Sequence, residues 1–156
     1  MLFTDATKFK GMGAIYGTKW IQATWPSPLC GENIALLELF AIVAAALTWG
    51  HQWKGKRVVF VTDNMTITQI WDKGTTPSPK IMALVRKLYL HAAISHFTVS
   101  FKYISTHFNA IADALSRFQM TRFRRLAPEA DQQPTQLPAD LWELGNHLER
   151  VKASGN

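Results

Sequence analysis

The chain has 156 residues, of which 47% are hydrophobic and 18% charged, and this composition suits one compact domain and excludes an intrinsically disordered chain. No apolar run reaches the ~20 residues that span a bilayer, and the chain start lacks the pattern of a secretory signal. Cys30 is the single cysteine, which excludes an internal disulfide or a thiolate zinc cluster. The formal charge is +6, and residues 1–125 carry fifteen bases against six acids. This surplus favours a polyanionic partner such as nucleic acid, with a solvated basic surface as the alternative. We expect an intracellular protein without membrane contact.

The first third of the chain predicts three strands and a helix. Short apolar segments predict strands in hairpin succession over residues 2–7, 14–16 and 20–25. The sequence Gly11-Met12-Gly13 predicts the turn between the first two. The apolar run from Ile34 to Trp49 is longer than a strand and predicts a buried helix, capped at its end by Gly50.

The rest of the body predicts two strands and three helices. Arg57–Asp63 contains the run Val-Val-Phe-Val, typical of a strand covered on both faces. Helices are predicted over residues 65–71, from Ser78 and Pro79 onward, and from Asn109 to Phe118. Alternating apolar residues predict a strand over 97–101. The predicted order is β-β-β-α-β-α-α-β-α.

Composition changes after residue 125. Residues 1–125 form the predicted domain, residues 126–137 are rich in Pro, Gln and acids and predict a linker, and residues 138–152 predict a short amphipathic helix.

Two acids stand on predicted strands. Asp5 lies within the first strand, and Asp63 closes the most apolar strand at the edge where α/β sheets place their sites. Each of them, taken alone, also fits a turn or cap residue.

Two more acids stand on predicted helices. Glu38 is the only charged residue between Ile34 and Gly50, and a carboxylate on an apolar helix is costly unless it is compensated. The alternative is a side chain that reaches the solvent at the rim. Asp113 lies one turn into the last helix of the body, where a favourable interaction with the helix dipole is a sufficient explanation.

The four acids together predict a metal centre. The topology makes the two strands neighbours and packs the helices across their ends, so the carboxylates converge and would repel one another without cations. Oxygen ligands of this kind select Mg²⁺, with Mn²⁺ also accepted. Two such ions about 4 Å apart activate a water and stabilise the leaving oxygen in phosphodiester hydrolysis.

Four segments resemble, in order and spacing, the Asp, Glu, Asp and Asp motifs of the ribonuclease H family. They read LFTDAT, ALLELFAI, VVFVTDN and YISTHFNAIADALSR. The last is similar to ribonuclease H domains that follow reverse transcriptase in gypsy-type and DIRS-type retrotransposons, and the DIRS type, which carries a tyrosine recombinase, is the closer match.

The resemblance implies a fold and an activity. The fold is α/β, a ribonuclease H-like five-stranded mixed sheet of three antiparallel strands plus two parallel ones, flanked by helices. The activity is hydrolysis of the RNA strand of an RNA/DNA hybrid, with Asp5, Glu38, Asp63 and Asp113 as catalytic metal ligands. The chain would then be part of a polyprotein whose reverse-transcriptase domain is its partner.

The resemblance also bears on residues around the acids. In the family, residues just before the glutamate often contact the RNA through side-chain amides, whereas here Ile34 and Ala35 are nearest and only Asn33 is polar. Asn33 and Asn109 are the predicted substrate contacts. Many members carry a histidine six residues before the residue matching Asn109, and Tyr103 stands there. His107, four residues later, is either its catalytic substitute or a solvated loop residue. The segment between Asp72 and Pro79 is too short for the basic helix and loop of the bacterial members.

Other residues suit substrate binding. Phe118, Phe123 and four arginines suit phosphate contact and base stacking, although the aromatic rings also fit a role in capping the core. The four are Arg117, Arg122, Arg124 and Arg125. Thr7 and Asn64 adjoin proposed metal ligands and suit a phosphate or sugar contact, with turn formation as the alternative.

Two further functions compete with an active nuclease. One is a catalytically silent ribonuclease H-like module that binds nucleic acid or serves a structural role. The other is a transposase or integrase core, which expects a glutamate on the final helix. Asp113 and the early Glu38 argue against that second alternative.

Overall fold

The computed structural model describes residues 1–154, with side chains described up to residue 151. This part of the chain contains five strands and six α-helices. In chain order they are β1 (Leu2–Ala6), β2 (Gly11–Tyr16), β3 (Lys19–Thr24), α1 (Ile34–Trp49), β4 (Arg57–Thr62), α2 (Met65–Lys73), α3 (Pro79–Ser95), β5 (Thr98–Tyr103), α4 (Ala110–Ser116), α5 (Met120–Leu126) and α6 (Leu141–Ser154). The sheet order is β3-β2-β1-β4-β5.

The sheet is mixed, and this confirms the predicted fold class. Strands β1, β2 and β3 are antiparallel neighbours, whereas β4 is parallel to both β1 and β5. The predicted element order is also correct up to α4, and α5 is an additional helix that the sequence analysis missed.

The predicted turn at Gly11–Gly13 is wrong, because these residues open strand β2. Gly13 pairs with Asp5 across the strands. A Cβ at Gly13 would lie 2.3 Å from Leu115 Cβ, and one at Gly11 would lie 2.0 Å from the Ala23 carbonyl oxygen. The glycines therefore allow close packing against a neighbouring strand and helix, rather than a reversal of the chain.

Helix α1 is the centre of the main core. Fourteen of its sixteen residues are buried, and it packs against the sheet on one side and α3 on the other. Asn33 caps its start. Gly50 is the C-cap of the helix, as predicted, with a right-handed φ of −57° and a backbone N–H that donates to Ala46 O; a Cβ there would lie 2.6 Å from His91 Nε2.

The segment Ile34–Gln52 is long and apolar enough, by length and composition alone, to cross a membrane. The sequence was expected to contain no apolar run long enough to span a bilayer. In the fold most of the segment is buried, and packing in the core accounts for its apolar character.

The second face of the sheet is covered by α4 and α5. Their apolar residues form a smaller core with residues of β2 and β3, in which the rings of Trp20 and Phe123 lie 5.1 Å apart. Since helices cover both faces, the carboxyl edge of the parallel strands stays accessible at one end.

The C-terminal part packs on this domain. The backbone of Asp131 donates a hydrogen bond to Thr18 O and that of Thr135 to Trp20 O, both at 2.8 Å, so residues 131–135 run along the edge strand β3. Leu141 and Leu148 of α6 are buried, and Trp142 stacks on Phe40. The division into domain, linker and helix stays a prediction, but α6 docks on the body.

Candidate metal centre

Asp5 and Asp63 are brought together by the pairing of two parallel strands. Strand β1 pairs with β4 in the register Leu2–Phe60, and the same register continued along the strands sets Asp5 beside Asp63. Asp63 follows directly after the last residue of β4. The two carboxylates therefore lie at the same edge of the sheet, as predicted from the sequence.

Glu38 reaches this edge from α1. It lies one turn after the start of the helix, and its Oε1 accepts a hydrogen bond from the backbone N–H of Ala6 at 3.3 Å. The side chain is buried, with a residue exposure of 3%, which excludes the alternative of a side chain that extends to solvent.

The three carboxylates form one cluster. Each of Asp5, Glu38 and Asp63 offers an oxygen, and these oxygens lie within 4.8 Å of one another. Glu38 Oε2 is buried and has no hydrogen-bond partner among the described residues. A buried anionic oxygen without a partner is costly. The cluster therefore has the oxygen ligands and the uncompensated negative charge of a site for a hard divalent cation.

The pKa values of the three carboxyl groups show that their ionised forms are unfavourable in this environment. The pKa of Asp5 is raised to about 7, mainly by burial, with smaller increases from the charges of Asp63 and Asp113, against a hydrogen bond from Ser116 that lowers it. Burial, and then the charges of Asp5 and Asp63, raise the pKa of Glu38 well above its usual value. Burial also raises the pKa of Asp63, against a hydrogen bond from Thr106. Positive charge is therefore needed for full ionisation.

Asp5→Asn should make the free energy of unfolding of the metal-free protein less sensitive to rising pH. The folded pKa of Asp5 is about 7 and the unfolded value is about 3.9, so its contribution to stability is complete below about pH 4 and is lost as the pH rises through 7. We expect the free energy of unfolding of wild type to fall relative to Asp5→Asn by roughly 2 to 3 kcal/mol between pH 5 and 8.

Urea unfolding in EDTA at both pH values measures this difference. Burial lowers the pKa of His91, which acts in the opposite direction, but His91 is present in both proteins and cancels in the comparison. A difference that does not change with pH would mean that Asp5 is already ionised at pH 5.

Asp113 lines the same cavity as the three clustered acids but has different partners. Its Oδ1 accepts from Arg117 Nε at 2.9 Å and its Oδ2 from Arg122 Nη1 at 2.6 Å. Burial acts to raise the pKa of Asp113, but the hydrogen bonds from Arg122 and Arg117 outweigh it, and the pKa is lowered. The fourth predicted ligand is thus near the cluster but paired with cations of the protein itself.

Ser116, which is fully buried, was not predicted from the sequence. Its Oγ donates to Asp5 Oδ2 at 2.7 Å, so the hydroxyl fixes the orientation of one clustered carboxylate. Ser116 lies three residues after Asp113, on the same face of α4. That spacing was the signal that could have identified it.

Asn109 occupies the N-cap position of α4, but its side chain makes no cap hydrogen bond. Its Nδ2 donates instead to Thr4 O at 2.8 Å, and its buried Oδ1 has no partner among the described residues. Asn109 therefore ties the start of α4 to β1, next to Asp5.

Three other predicted substrate contacts have local structural roles. The side chain of Asn33 accepts from the backbone of Ala35 and Leu36, and that of Asn64 from Thr66. Thr7 Oγ1 accepts from Gly11 N at 2.8 Å and lines the cavity of the carboxylates. Contact of these side chains with a substrate stays a prediction.

The predicted arginine cluster divides into separate roles. Arg117 and Arg122 bind Asp113, whereas Arg124 donates to the carbonyl oxygens of residues 130, 131 and 132 at 2.8 to 3.1 Å. The guanidinium of Arg124 also lies 5.4 Å from the Trp20 ring centroid. Arg125 is exposed.

Arg124→Gln should therefore lower stability rather than nucleic-acid affinity. Loss of three hydrogen bonds to carbonyls is expected to lower the free energy of unfolding by about 1 to 3 kcal/mol, as measured by urea denaturation against the exposed Arg125→Gln control. The salt dependence of hybrid binding should not change. A slope lower by about one in log affinity against log salt would instead identify Arg124 as a phosphate contact.

His107 is exposed, in a 3-10 turn over Thr106–Phe108, and its ring lies against Phe108. Among the described residues lining the carboxylate cavity, this turn contributes Thr106 and not His107. A catalytic role for His107 stays a prediction, which this placement does not favour.

The chain is similar to known proteins in both sequence family and fold. The family model described as reverse transcriptase-like matches residues 31–119, which include Glu38, Asp63 and Asp113. Among solved structures, the chain is similar to the N-terminal RNase H domain of Rv2228c from Mycobacterium tuberculosis, solved as a fusion with maltose-binding protein. The TM-score is 0.52 at 13% identity, over 75% of this chain and 93% of that chain. No curated protein matches the chain.

Proposed function

Because the chain belongs to the reverse transcriptase-like family and has a ribonuclease H fold, we propose that it is a two-metal endonuclease that hydrolyses the RNA strand of RNA/DNA hybrids. The observation that carries the proposal is the cluster of Asp5, Glu38 and Asp63, whose oxygens lie within 4.8 Å of one another. Glu38 Oε2, which has no hydrogen-bond partner among the described residues, supports a cation there, because such a buried carboxylate arrangement is unfavourable without one.

Mg²⁺ is the ion that the oxygen-only donor set suits best, with Mn²⁺ as an accepted substitute. Asp5, Glu38 and Asp63 would hold it, and Asp113 would complete a second position. When bound, divalent cations supply the positive charge that activates a water for attack on a phosphodiester and stabilises the departing oxygen.

Residues of the chain itself orient these ligands. The Ser116 hydroxyl holds one oxygen of Asp5, and the N–H of Ala6 holds one oxygen of Glu38. Both contacts leave the second oxygen of each carboxylate available for a cation. Preorganised ligands of this kind reduce the cost of assembling the site when substrate binds.

The rim of the cavity supplies positive charge for the substrate. Lys8 and Lys10, in the loop between β1 and β2, line the cavity together with Arg117. Phe9 between them is 70% exposed, which places an aromatic face beside the lysines. This combination suits phosphate contact with stacking on a base or sugar.

The chain's place in a retroelement is part of the proposal. The description of the matching family as reverse transcriptase-like and the four motifs support a ribonuclease H domain encoded with a reverse transcriptase, in a DIRS-type or gypsy-type element. The reverse-transcriptase domain of the same polyprotein would be its partner, and the site of action would be inside the cell.

A cleavage assay tests the proposal. The protein is incubated with Mg²⁺ and an RNA/DNA hybrid labelled on either strand, beside Asp63→Asn and, as a matched control, the exposed Asp72→Asn. We expect wild type and Asp72→Asn to cut only the RNA strand, and Asp63→Asn to be inactive. Single-stranded RNA and duplex DNA should stay intact. Binding of the hybrid without cleavage by wild type would favour the catalytically silent module.

A further inference from the structure

Asp113 differs from the other three acids in the way its charge is balanced. Its side chain is 13% exposed, and both carboxylate oxygens are already bound by guanidinium groups. The cluster of Asp5, Glu38 and Asp63 has no such ion pair among the described residues. A divalent cation that used Asp113 would share its oxygens with two guanidinium groups, whose positive charge opposes binding of the cation.

The two arginines come from different elements. Arg117 follows α4 and pairs with Asp113 at the i,i+4 spacing, whereas Arg122 reaches it from α5. Their side chains are 46% and 34% exposed, so both can turn outward without leaving a buried charge. Arg117 also lines the cavity that contains the clustered acids.

A phosphate group can replace the Asp113 carboxylate as the hydrogen-bond partner of these arginines. Guanidinium groups bind phosphate and carboxylate oxygens by the same charge-assisted hydrogen bonds. We infer that Arg117 and Arg122 are positioning residues that compete with divalent cations for Asp113 in the free protein and release it when they bind phosphates of the nucleic acid. The inference rests on the proposed function.

The consequence is coupling between substrate and metal. In the free protein the cations load at the three-carboxylate cluster, and Asp113 becomes available as nucleic acid arrives. Removal of the arginines should tighten metal binding, and removal of the Asp113 carboxylate should tighten nucleic-acid binding. Each effect is expected only when Asp113 and the two arginines are present together before the change.

A double-mutant cycle measures this dependence. The four proteins are wild type, Arg117→Gln/Arg122→Gln, Asp113→Asn and the combination of all three changes. Mn²⁺ alone is titrated into each metal-free protein, and free Mn²⁺ is measured by electron paramagnetic resonance. Arg57→Gln, at the opposite end of β4 from Asp63, controls for the loss of a distant positive charge. Thermal melting confirms folding, and the single Arg122→Gln change replaces the pair if the pair does not fold.

Removal of the arginines is expected to tighten Mn²⁺ binding roughly threefold to tenfold, the size expected for partly exposed ion pairs, and to do so only when Asp113 is present. In EDTA, Asp113→Asn should tighten binding of an RNA/DNA hybrid several-fold only when the arginines are present. Equal tightening in both backgrounds would reflect a general field effect and overturn the inference, as would no tightening at all.

The same titration separates this inference from the proposed function. Asp63→Asn should weaken Mn²⁺ binding in every background. If wild type binds no Mn²⁺, or Asp63→Asn binds it equally well, the metal centre and the inference both fail. If Mn²⁺ binds through Asp63 but the cycle shows no coupling, only the role of the arginines fails.

Discussion

Glu38→Gln should abolish cleavage of RNA in a hybrid while leaving the fold intact and its stability level or higher. Glutamine keeps an oxygen that can accept from Ala6 N but removes the charge that a cation needs. We expect the rate to fall by about three orders of magnitude or more, because several kcal/mol of transition-state stabilisation is lost. The wild-type protein carries a carboxyl group whose pKa is raised by burial and by the charges of Asp5 and Asp63, so its neutral replacement removes an unfavourable interaction.

Initial rates with Mg²⁺ and urea unfolding in EDTA check the two parts of this prediction. Glu129→Gln, an exposed acid beyond α5, is the control for loss of one negative charge and should behave as wild type in both assays. A fall in stability of several kcal/mol would show that Glu38 is the partner of a buried cation of the protein, and the metal-centre interpretation would then be wrong.

Gly13→Ala should destabilise the protein by about 3 kcal/mol or more, at the upper end of the cost of overpacking. A Cβ at this position would lie 2.3 Å from Leu115 Cβ and 2.9 Å from the backbone N of Ser116. Backbone atoms of α4 cannot move aside as a flexible side chain can, so the helix must shift away from β2. Because α4 carries Asp113 and Ser116, cleavage activity should fall as well.

Gly17→Ala is the matched control for this prediction. Nothing lies within 4 Å of a Cβ at Gly17, but its φ is +62°, so alanine costs only about 1 to 2 kcal/mol of backbone strain there. Urea unfolding and cleavage rates of both variants measure the difference. Equal stability losses would mean that α4 does not pack on β2 as closely as the structure shows.

The glycines illustrate a limit of sequence analysis. A Gly-Met-Gly sequence after a strand predicts a turn, but the same residues also serve where two backbones approach closely. At Gly13 the close neighbour is Leu115, about a hundred residues later in the chain. No local pattern distinguishes the two uses.

The arginines after α4 illustrate a second limit. Their composition predicts a single phosphate-binding cluster, whereas the structure assigns Arg122 to Asp113 and Arg124 to the carbonyl oxygens of residues 130–132. Both roles depend on which oxygen atoms lie within hydrogen-bond distance, and this is set by how α5 and the following segment pack.

Local sequence patterns predicted the order of strands and helices up to α4 and three acids, Asp5, Glu38 and Asp63, that the fold brings together. Strand alternation, helical spacing and caps are local patterns, and acids such as Glu38 and Asp63 are conspicuous because they interrupt apolar segments. Two contacts became visible only in the folded chain: Ser116 holds Asp5, and Asp113 is paired with two arginines while the other acids cluster. Asp5 and Ser116 are 111 residues apart, and contacts over such separations depend on strand register and helix packing, which no short segment of sequence specifies.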